Sequence, residues 1–251
     1  MDLASFALVG AAAFAAGLVN AIAGGGSLIS FPTLLAVGLP PVAASITNTV
    51  ALCPGYLGAT IAQRRDLAGQ RRRLWAILPG GALGGIAGAW LLLNTDDAAF
   101  DRAVPFLLLV AALLLALQDR VRGWLLRRKT PHAETWAALP VALSAIYGGY
   151  FGAGMGVMIL AALGVVLVDS LTRLNALKQT VSLTVNVAAA AVFVVWGGAR
   201  MHWPIAGVML AASLAGGALG GVVASRIPAA VLRWVVVTIG VIVAVSYFAR
   251  W

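Results

Sequence analysis

Gly80-Gly81-Ala82-Leu83-Gly84-Gly85 recurs letter for letter as Gly216-Gly217-Ala218-Leu219-Gly220-Gly221, 136 residues further along the chain. The features around it recur in the same order: a glycine break, a span with polar residues, a charged loop, the glycine-rich helix and a final apolar helix. In the first half the polar span holds Thr47, Asn48 and Thr49. In the second, Lys178, Gln179 and Thr180 take the corresponding place, about 131 residues on. Six matched letters arise easily in apolar sequence, so the shared order of features carries the reading of a duplicated chain. Each half then supplies one hairpin and three crossings, an odd number, and the halves insert with opposite orientation. Inverted repeats with broken helices at their interface are a common plan of secondary transporters. The glycines of the repeated hexapeptide are scaffold, because small residues four apart let membrane helices approach closely.

Composition places the chain in lipid. Of 251 residues, 62% are hydrophobic and 10% charged, and the mean hydropathy is +0.99. Soluble domains carry roughly 45–50% apolar and about 25% charged residues. A disordered or collagen-like chain is excluded on the same ground. One cysteine, Cys53, rules out an internal disulfide framework and a multi-cysteine zinc site, and is read as a small packing residue. No cofactor is expected.

A net charge of +9 would suggest nucleic acid if it formed a patch, but it is concentrated in short loops. Arg64, Arg65, Arg71, Arg72 and Arg73 form one group, and Arg120, Arg122, Arg127, Arg128 and Lys129 another. Basic excess in short loops marks the cytoplasmic face, so 63–73 and 119–134 are placed inside. Loop 95–102, with Asp96, Asp97 and Asp101 against Arg102, is placed outside. No nucleic-acid partner is expected, and the start Met1-Asp2-Leu3 has no basic region of the kind that begins a cleaved signal peptide.

A helical crossing needs about 20 residues. The apolar runs 43–62, 74–94, 103–118, 179–196, 204–224 and 234–249 come close to that, whereas 27–39, 135–149 and 157–168 are too short. The short runs lie beside Gly24-Gly25-Gly26 and beside Gly148, Gly149, Gly152, Gly154 and Gly156. Short apolar pieces joined by glycines read as re-entrant hairpins, which survive at membrane depth only inside protein or along a cavity. If 135–168 dips in and returns, Arg173, Lys178, Arg226 and Arg233 face inward and Arg200 outward, as the positive-inside bias prefers. The expected fold is therefore an all-α polytopic membrane protein of two inverted repeats, each a glycine-broken hairpin plus three transmembrane helices. Residues 1–118 form the first repeat, 119–134 a basic cytoplasmic loop and 135–251 the second repeat.

Ala23-Gly24-Gly25-Gly26-Ser27-Leu28-Ile29, then Phe31-Pro32, Gly38-Leu39-Pro40-Pro41 and Thr47-Asn48-Thr49, resemble the sulfite/sulfoacetate exporter family (TauE/SafE, also called the 4-toluene sulfonate uptake permeases). In the second half, Gly152-Ala153-Gly154-Met155-Gly156 and Asn175-Ala176-Leu177-Lys178 carry the likeness, which runs nearly end to end. The resemblance implies an inner-membrane, multi-pass carrier of small sulfur-containing or organic anions. The family holds exporters and importers, so it supports a substrate class without selecting a compound.

An anion at membrane depth is well served by helix N-termini, whose free N–H groups and dipole face it. Gly25, Gly26 and Ser27, and Gly154, Gly156 and Val157, open the second helix of each hairpin and are the first binding candidates; a tight turn alone is the alternative. Lys178 lies four residues into an otherwise apolar stretch and is followed by Gln179, Thr180, Ser182 and Asn186. A charged residue within a span usually faces a cavity or partner, although a lysine near a helix end can snorkel. Thr47, Asn48 and Thr49 could donate to sulfonate oxygens or bond nearby backbone. Asn20, Tyr150, Ser182 and Asn186 are weaker candidates.

Tryptophans 75, 124, 136, 203, 234 and 251 fall near span ends, as interfacial belts do. His132 and His202 lie in loops, and all eight acids, Asp2, Asp66, Asp96, Asp97, Asp101, Asp119, Glu134 and Asp169, lie in loops or at span ends. Neither a hydrolytic triad nor a carboxylate proton relay can be assembled within the spans. The expected function is alternating-access transport of a small organosulfonate, sulfite or related anion, export slightly favoured, with a coupling cation possible for uptake. An anion channel on the same scaffold and a non-transporting assembly or receptor protein are the rivals. Oligomeric state is left open.

Overall fold

The computed structural model describes residues 2–127, 137–223 and 228–249, and all regular structure among them is helical. Six helices are long and apolar enough to cross a membrane: α1 (Leu3–Ile22), α4 (Arg71–Leu93), α5 (Asp97–Ala116), α9 (Leu171–Trp196), α10 (Trp203–Val223) and α11 (Ala229–Phe248). Between them lie α2 (Ser27–Ala36), α3 (Pro41–Ala62), α6 (Gln118–Arg127), α7 (Ala138–Tyr150) and α8 (Met155–Val166). Three of these assignments revise the sequence reading. The first arm of hairpin one is an unbroken 20-residue helix that joins the six, while α3, at 22 residues, falls outside them. Ser45, Thr47, Asn48, Thr49, Thr60 and Pro54 dilute the apolar character of α3.

The other revision concerns 119–134, expected as a loop. Its first part is α6, because Val121 and Leu125 fall on one face and pack beneath α8 while Arg120 and Arg127 face outward. Arg128, Lys129, His132, Glu134, Trp136, Arg226 and Trp251 lie outside the described residues.

Long-range hydrogen bonds sort the loops into two ends of the helix bundle. At one end Arg73 reaches Asp169, Gln63 accepts from Asn175 Nδ2 (2.8 Å), and Arg233 pairs with Asp119 through both carboxylate oxygens. At the other, Arg200 Nη1 donates to the Leu93 carbonyl (3.4 Å), and Leu39, Pro40, Asp97, Arg200 and His202 surround one depression. Residues 138–166 therefore leave the Asp169 end and return to it, whereas α1 and α2 leave the Asp97 end and return there.

Packing follows the repeated hexapeptide. α1 lies along α10, α7 lies along α4, and α3 meets α9 at the centre. A Cβ on Gly84 would fall on the Ala142 carbonyl of α7, and one on Gly216 on the Phe14 carbonyl of α1. Only glycine lets these backbones come so near, as expected where apolar lipid supplies no hydrophobic drive between helices and packing holds them together. Phe31 of α2 meets Phe151 edge to face (centroids 5.2 Å apart, planes at 81°), and Phe100 meets Tyr150 at 5.5 Å. The first pair joins the two hairpins inside the bundle, and the second ties the hairpin of α7 and α8 to α5. Leu83, Trp90, Leu113, Val195 and Ile242 point outward, exposed as lipid-facing residues are.

Candidate functional site

Each hairpin turns back on glycines with left-handed backbone, at φ +82° and +88° for Gly24 and Gly25, and +82° and +77° for Gly152 and Gly154. Side chains rarely adopt that conformation, so the glycines let the chain reverse without strain. After the reversal α2 starts at Ser27 and α8 at Met155, and their first turns meet around one small cavity. It is lined by Asn20, Gly24, Gly25, Ser27, Tyr56, Gly152, Gly154, Gly156, Lys178, Gln179 and Ser182. From there α2 runs toward the Asp97 end and α8 toward the Asp169 end, so two positive helix ends converge from opposite directions.

Of the residues singled out from sequence, Gly25, Ser27, Gly154, Gly156, Lys178 and Gln179 line this cavity, as do Asn20 and Ser182. The others lie beside it or elsewhere. Gly26 turns its N–H away, donating to Asn20 Oδ1 at 2.7 Å. Val157 is buried, with its N–H on the Gly154 carbonyl (3.0 Å). Tyr150 packs on Phe100, and Asn186 Nδ2 donates to the Ser182 carbonyl at 2.8 Å.

Thr47, Asn48 and Thr49 are buried away from Lys178. Asn48 Oδ1 accepts from Ser30 Oγ (2.5 Å), Thr47 Oγ1 accepts from the His202 N–H (3.3 Å), and the Thr49 carbonyl accepts from Cys53 Sγ (3.3 Å). The reason is direction. α3 and α9 run oppositely, so residues at matching steps along them, at 1.5 Å per residue, sit toward opposite ends. What α3 presents at the level of Lys178 is Tyr56, seven positions beyond Thr49. Tyr56, Gly24 and Gly152 were not singled out from sequence. The signal for Tyr56 was there: it is the sole aromatic residue in the run 43–62.

The cavity has donors and no carboxylate. Lys178 is 6% exposed and makes no ion pair or hydrogen bond among the described residues. Asn20 Nδ2 and Ser182 Oγ are buried without a partner. Because Asn20 Oδ1 is engaged by Gly26, the amide is held with its NH2 free. The N–H groups of Ser27 and Gly156 find no acceptor among the described residues either. Buried donors left unmatched are costly, and this set matches an anion with several oxygens. The cavity volume is about 20 Å³, room for about one water.

Beneath it, the Asp169 end is closed by a cluster joining the two halves. Asp169 Oδ2 accepts from Arg73 Nη1 (2.5 Å) and Arg173 Nε (3.1 Å), and Arg173 Nη1 donates to the Ala68 carbonyl (3.1 Å). Burial pushes the Asp169 carboxyl up, but the hydrogen bonds from Arg73, the Ser170 N–H and Arg173 outweigh it and hold the group below the ordinary carboxylate range.

Comparison with known proteins identifies the family of the chain. The family model described as Sulfite exporter TauE/SafE matches residues 9–247. The chain is 32% identical over 207 residues to a Haemophilus influenzae protein named "Probable membrane transporter protein", covering 82% of this chain and 80% of that one. It is 29% identical over 242 residues to the "Probable membrane transporter protein ORF9" of a Sinorhizobium species, covering 95% and 90%. With the "Probable membrane transporter protein YfcA" of Escherichia coli K12 it shares 25% identity over 210 residues, covering 83% and 76%. A family match over nearly the whole chain, joined to six helices able to cross a membrane, makes this a multi-pass membrane transporter of the TauE/SafE sulfite exporter family.

Proposed function

We propose that the protein is an inner-membrane carrier that moves a small organosulfonate, sulfite or related organic anion by alternating access of two inverted repeats. The observation that carries this reading is the meeting of two oppositely directed half-helices around the unpaired Lys178, in a cavity without a carboxylate. The repeat relation is supported by exchange of partners: each hexapeptide helix packs on the first hairpin arm of the other half. Gly25, Ser27, Gly154, Gly156, Lys178 and Gln179 bind the anion, joined by Asn20, Ser182 and Tyr56. Gly26 and Val157 shape the turns, and Thr47, Asn48 and Thr49 belong to the opposite half of the pathway.

A cavity the size of one water is too small for a sulfonate, so the helices around it must part for the ligand to enter. That requirement favours a carrier over a permanently open channel. Two halves joined at the Asp169 end by Arg73, Asp169 and Arg173 give the motion its closing contact, which breaks when that end opens.

Moving one charge through the membrane potential is worth about 2.3 kcal/mol per 100 mV. With the interior negative that drives an uncoupled anion outward, so export is favoured and uptake requires a cotransported cation. The test is flux in proteoliposomes with potential set by potassium and valinomycin, using sulfite, sulfoacetate, taurine and arylsulfonates. Saturable flux that follows the potential supports the uncoupled carrier. Flux that ignores potential and follows a proton or sodium gradient replaces it with cotransport. Flux without saturation indicates a channel, and binding without flux a receptor.

A further inference from the structure

Three arginines open α4, and the fold treats them differently. Arg73 is taken by Asp169. The side chains of Arg71 and Arg72 are exposed and make no hydrogen bond or ion pair among the described residues. Of these two, Arg71 alone lines a groove on the outside of the bundle. Positions 71, 74, 75, 78 and 82 fall on one face of a helix, being three and four residues apart. They set Arg71, Leu74, Trp75, Leu78 and Ala82 along the groove, and Thr184 of α9 lines it as well.

The depth of the groove matches one leaflet. Arg71 and Ala82 are eleven residues apart, about 16 Å of helix, and half of the hydrocarbon core is about 15 Å. The groove has a volume of about 430 Å³, and Arg71 is the one charged residue in its lining. Trp75, 70% exposed, stands one turn below that cation, where indole rings settle at headgroup level. A second groove, on α11, is larger at about 600 Å³ and also has a tryptophan, Trp234, but no charged residue lines it. The α11 groove suits any acyl chain; the α4 groove suits a chain whose headgroup is an anion.

We propose that this groove binds one anionic phospholipid, with its phosphate on Arg71 and an acyl chain along Leu74, Leu78 and Ala82 against Thr184. Basic pockets between membrane helices hold anionic headgroups in the same way. Charge and length select a lipid over a protein partner: an unpaired cation at the membrane surface, then apolar lining for the depth of one leaflet. α4 and α9 come from different halves of the chain, and Arg73, two residues from Arg71, holds Asp169 of the other half. A lipid seated here therefore fastens the two halves at the Asp169 end. The proposal does not depend on which anion the protein carries.

The test is thermal unfolding of the purified full-length protein in neutral detergent, titrated with phosphatidylglycerol or with phosphatidylcholine. Phosphatidylglycerol is expected to raise the melting temperature saturably, and phosphatidylcholine much less at equal mole fraction. Arg71→Gln is expected to weaken the apparent affinity for phosphatidylglycerol about tenfold or more, as loss of a charge-assisted contact to phosphate does. Arg72→Gln, outside the groove, is expected to weaken it less than about fivefold, the general pull of a surface cation on anionic lipid. Thr184→Leu fills the groove and is expected to abolish the shift; Ala82→Leu fills it from α4 and serves if the first variant does not fold. Thr238→Leu, in the α11 groove, is expected to leave the shift intact. Equal weakening by Arg71→Gln and Arg72→Gln, equal shifts with the two lipids, or a full shift in the filled variant overturns the proposal. So does a wild type that does not respond to phosphatidylglycerol. An equal shift with soluble glycerol 3-phosphate overturns it in favour of a free phosphate ligand. A changed oligomeric mass in lipid-free Thr184→Leu overturns it in favour of a second copy of the chain.

Discussion

Replacing Lys178 with methionine separates stability from binding in a way few substitutions do. The side chain is 6% exposed, so solvent screens its charge little, and no carboxylate pairs with it among the described residues. An unpaired buried ammonium carries a desolvation penalty of several kcal/mol. Methionine removes that penalty at similar length, so the ligand-free variant should melt higher than the wild type. Binding should move the other way. Removing one partner of a desolvated charge pair costs about 2–5 kcal/mol, which is roughly a 30-fold to several-thousandfold rise in Kd. At a ligand concentration 100 times the wild-type Kd, the stabilisation conferred is about 2.7 kcal/mol in the wild type. For the variant it falls to about 0.9 kcal/mol or less. Lys178→Arg should retain part of the binding, since a planar fork and a compact ammonium present charge differently. The measurement is thermal unfolding in detergent with and without each anion. A methionine variant that melts lower when ligand-free, or keeps the full anion-induced shift, refutes the reasoning and returns Lys178 to a snorkelling role.

Three other perturbations test the fold. In a Cys53→Ser background, a cysteine at 173 should resist a membrane-impermeant label applied from outside, and one at 97 should react; the reverse pattern overturns the orientation. Asp169, held below the ordinary carboxylate range, contributes its stability fully above about pH 4 and loses it as pH falls through the lower folded value. Wild-type and Asp169→Asn melting curves, separate at neutral pH, should therefore converge in acid, and a gap that persists there contradicts the assignment. Gly216→Ala places a methyl on the Phe14 backbone and should cost about 1–3 kcal/mol. Gly58→Ala, with open space around it, should stabilise by roughly 0.5–1 kcal/mol. Comparable effects at the two sites, in the same unfolding assay, would show that backbone closeness is not what selects glycine at 216.

The membrane class, the glycine breaks and the placing of Lys178 at an internal cavity were legible in the chain itself, because each depends on local chemistry. Apolar content decides the solvent, positive φ demands glycine, and a lysine within an apolar run must find a cavity or an end. Six of the eleven residues around the cavity were first-choice candidates on that basis, and Asn20 and Ser182 were weaker ones. What the chain could not disclose was depth. Thr47–Thr49 match Lys178–Thr180 in order, but helices running in opposite directions carry matching residues to opposite ends, so Tyr56 and not Asn48 faces Lys178.

Tertiary packing likewise decided the fate of the basic segment after α5. Charge counting treats Arg122 and Arg120 alike, since both add to the same bias. Only the docking of α6 under α8, and the capture of Asp119 by Arg233 114 residues away, distinguish them. Local sequence sets what each segment can be; partners far apart in the chain determine which charges turn into the bundle and which face outward.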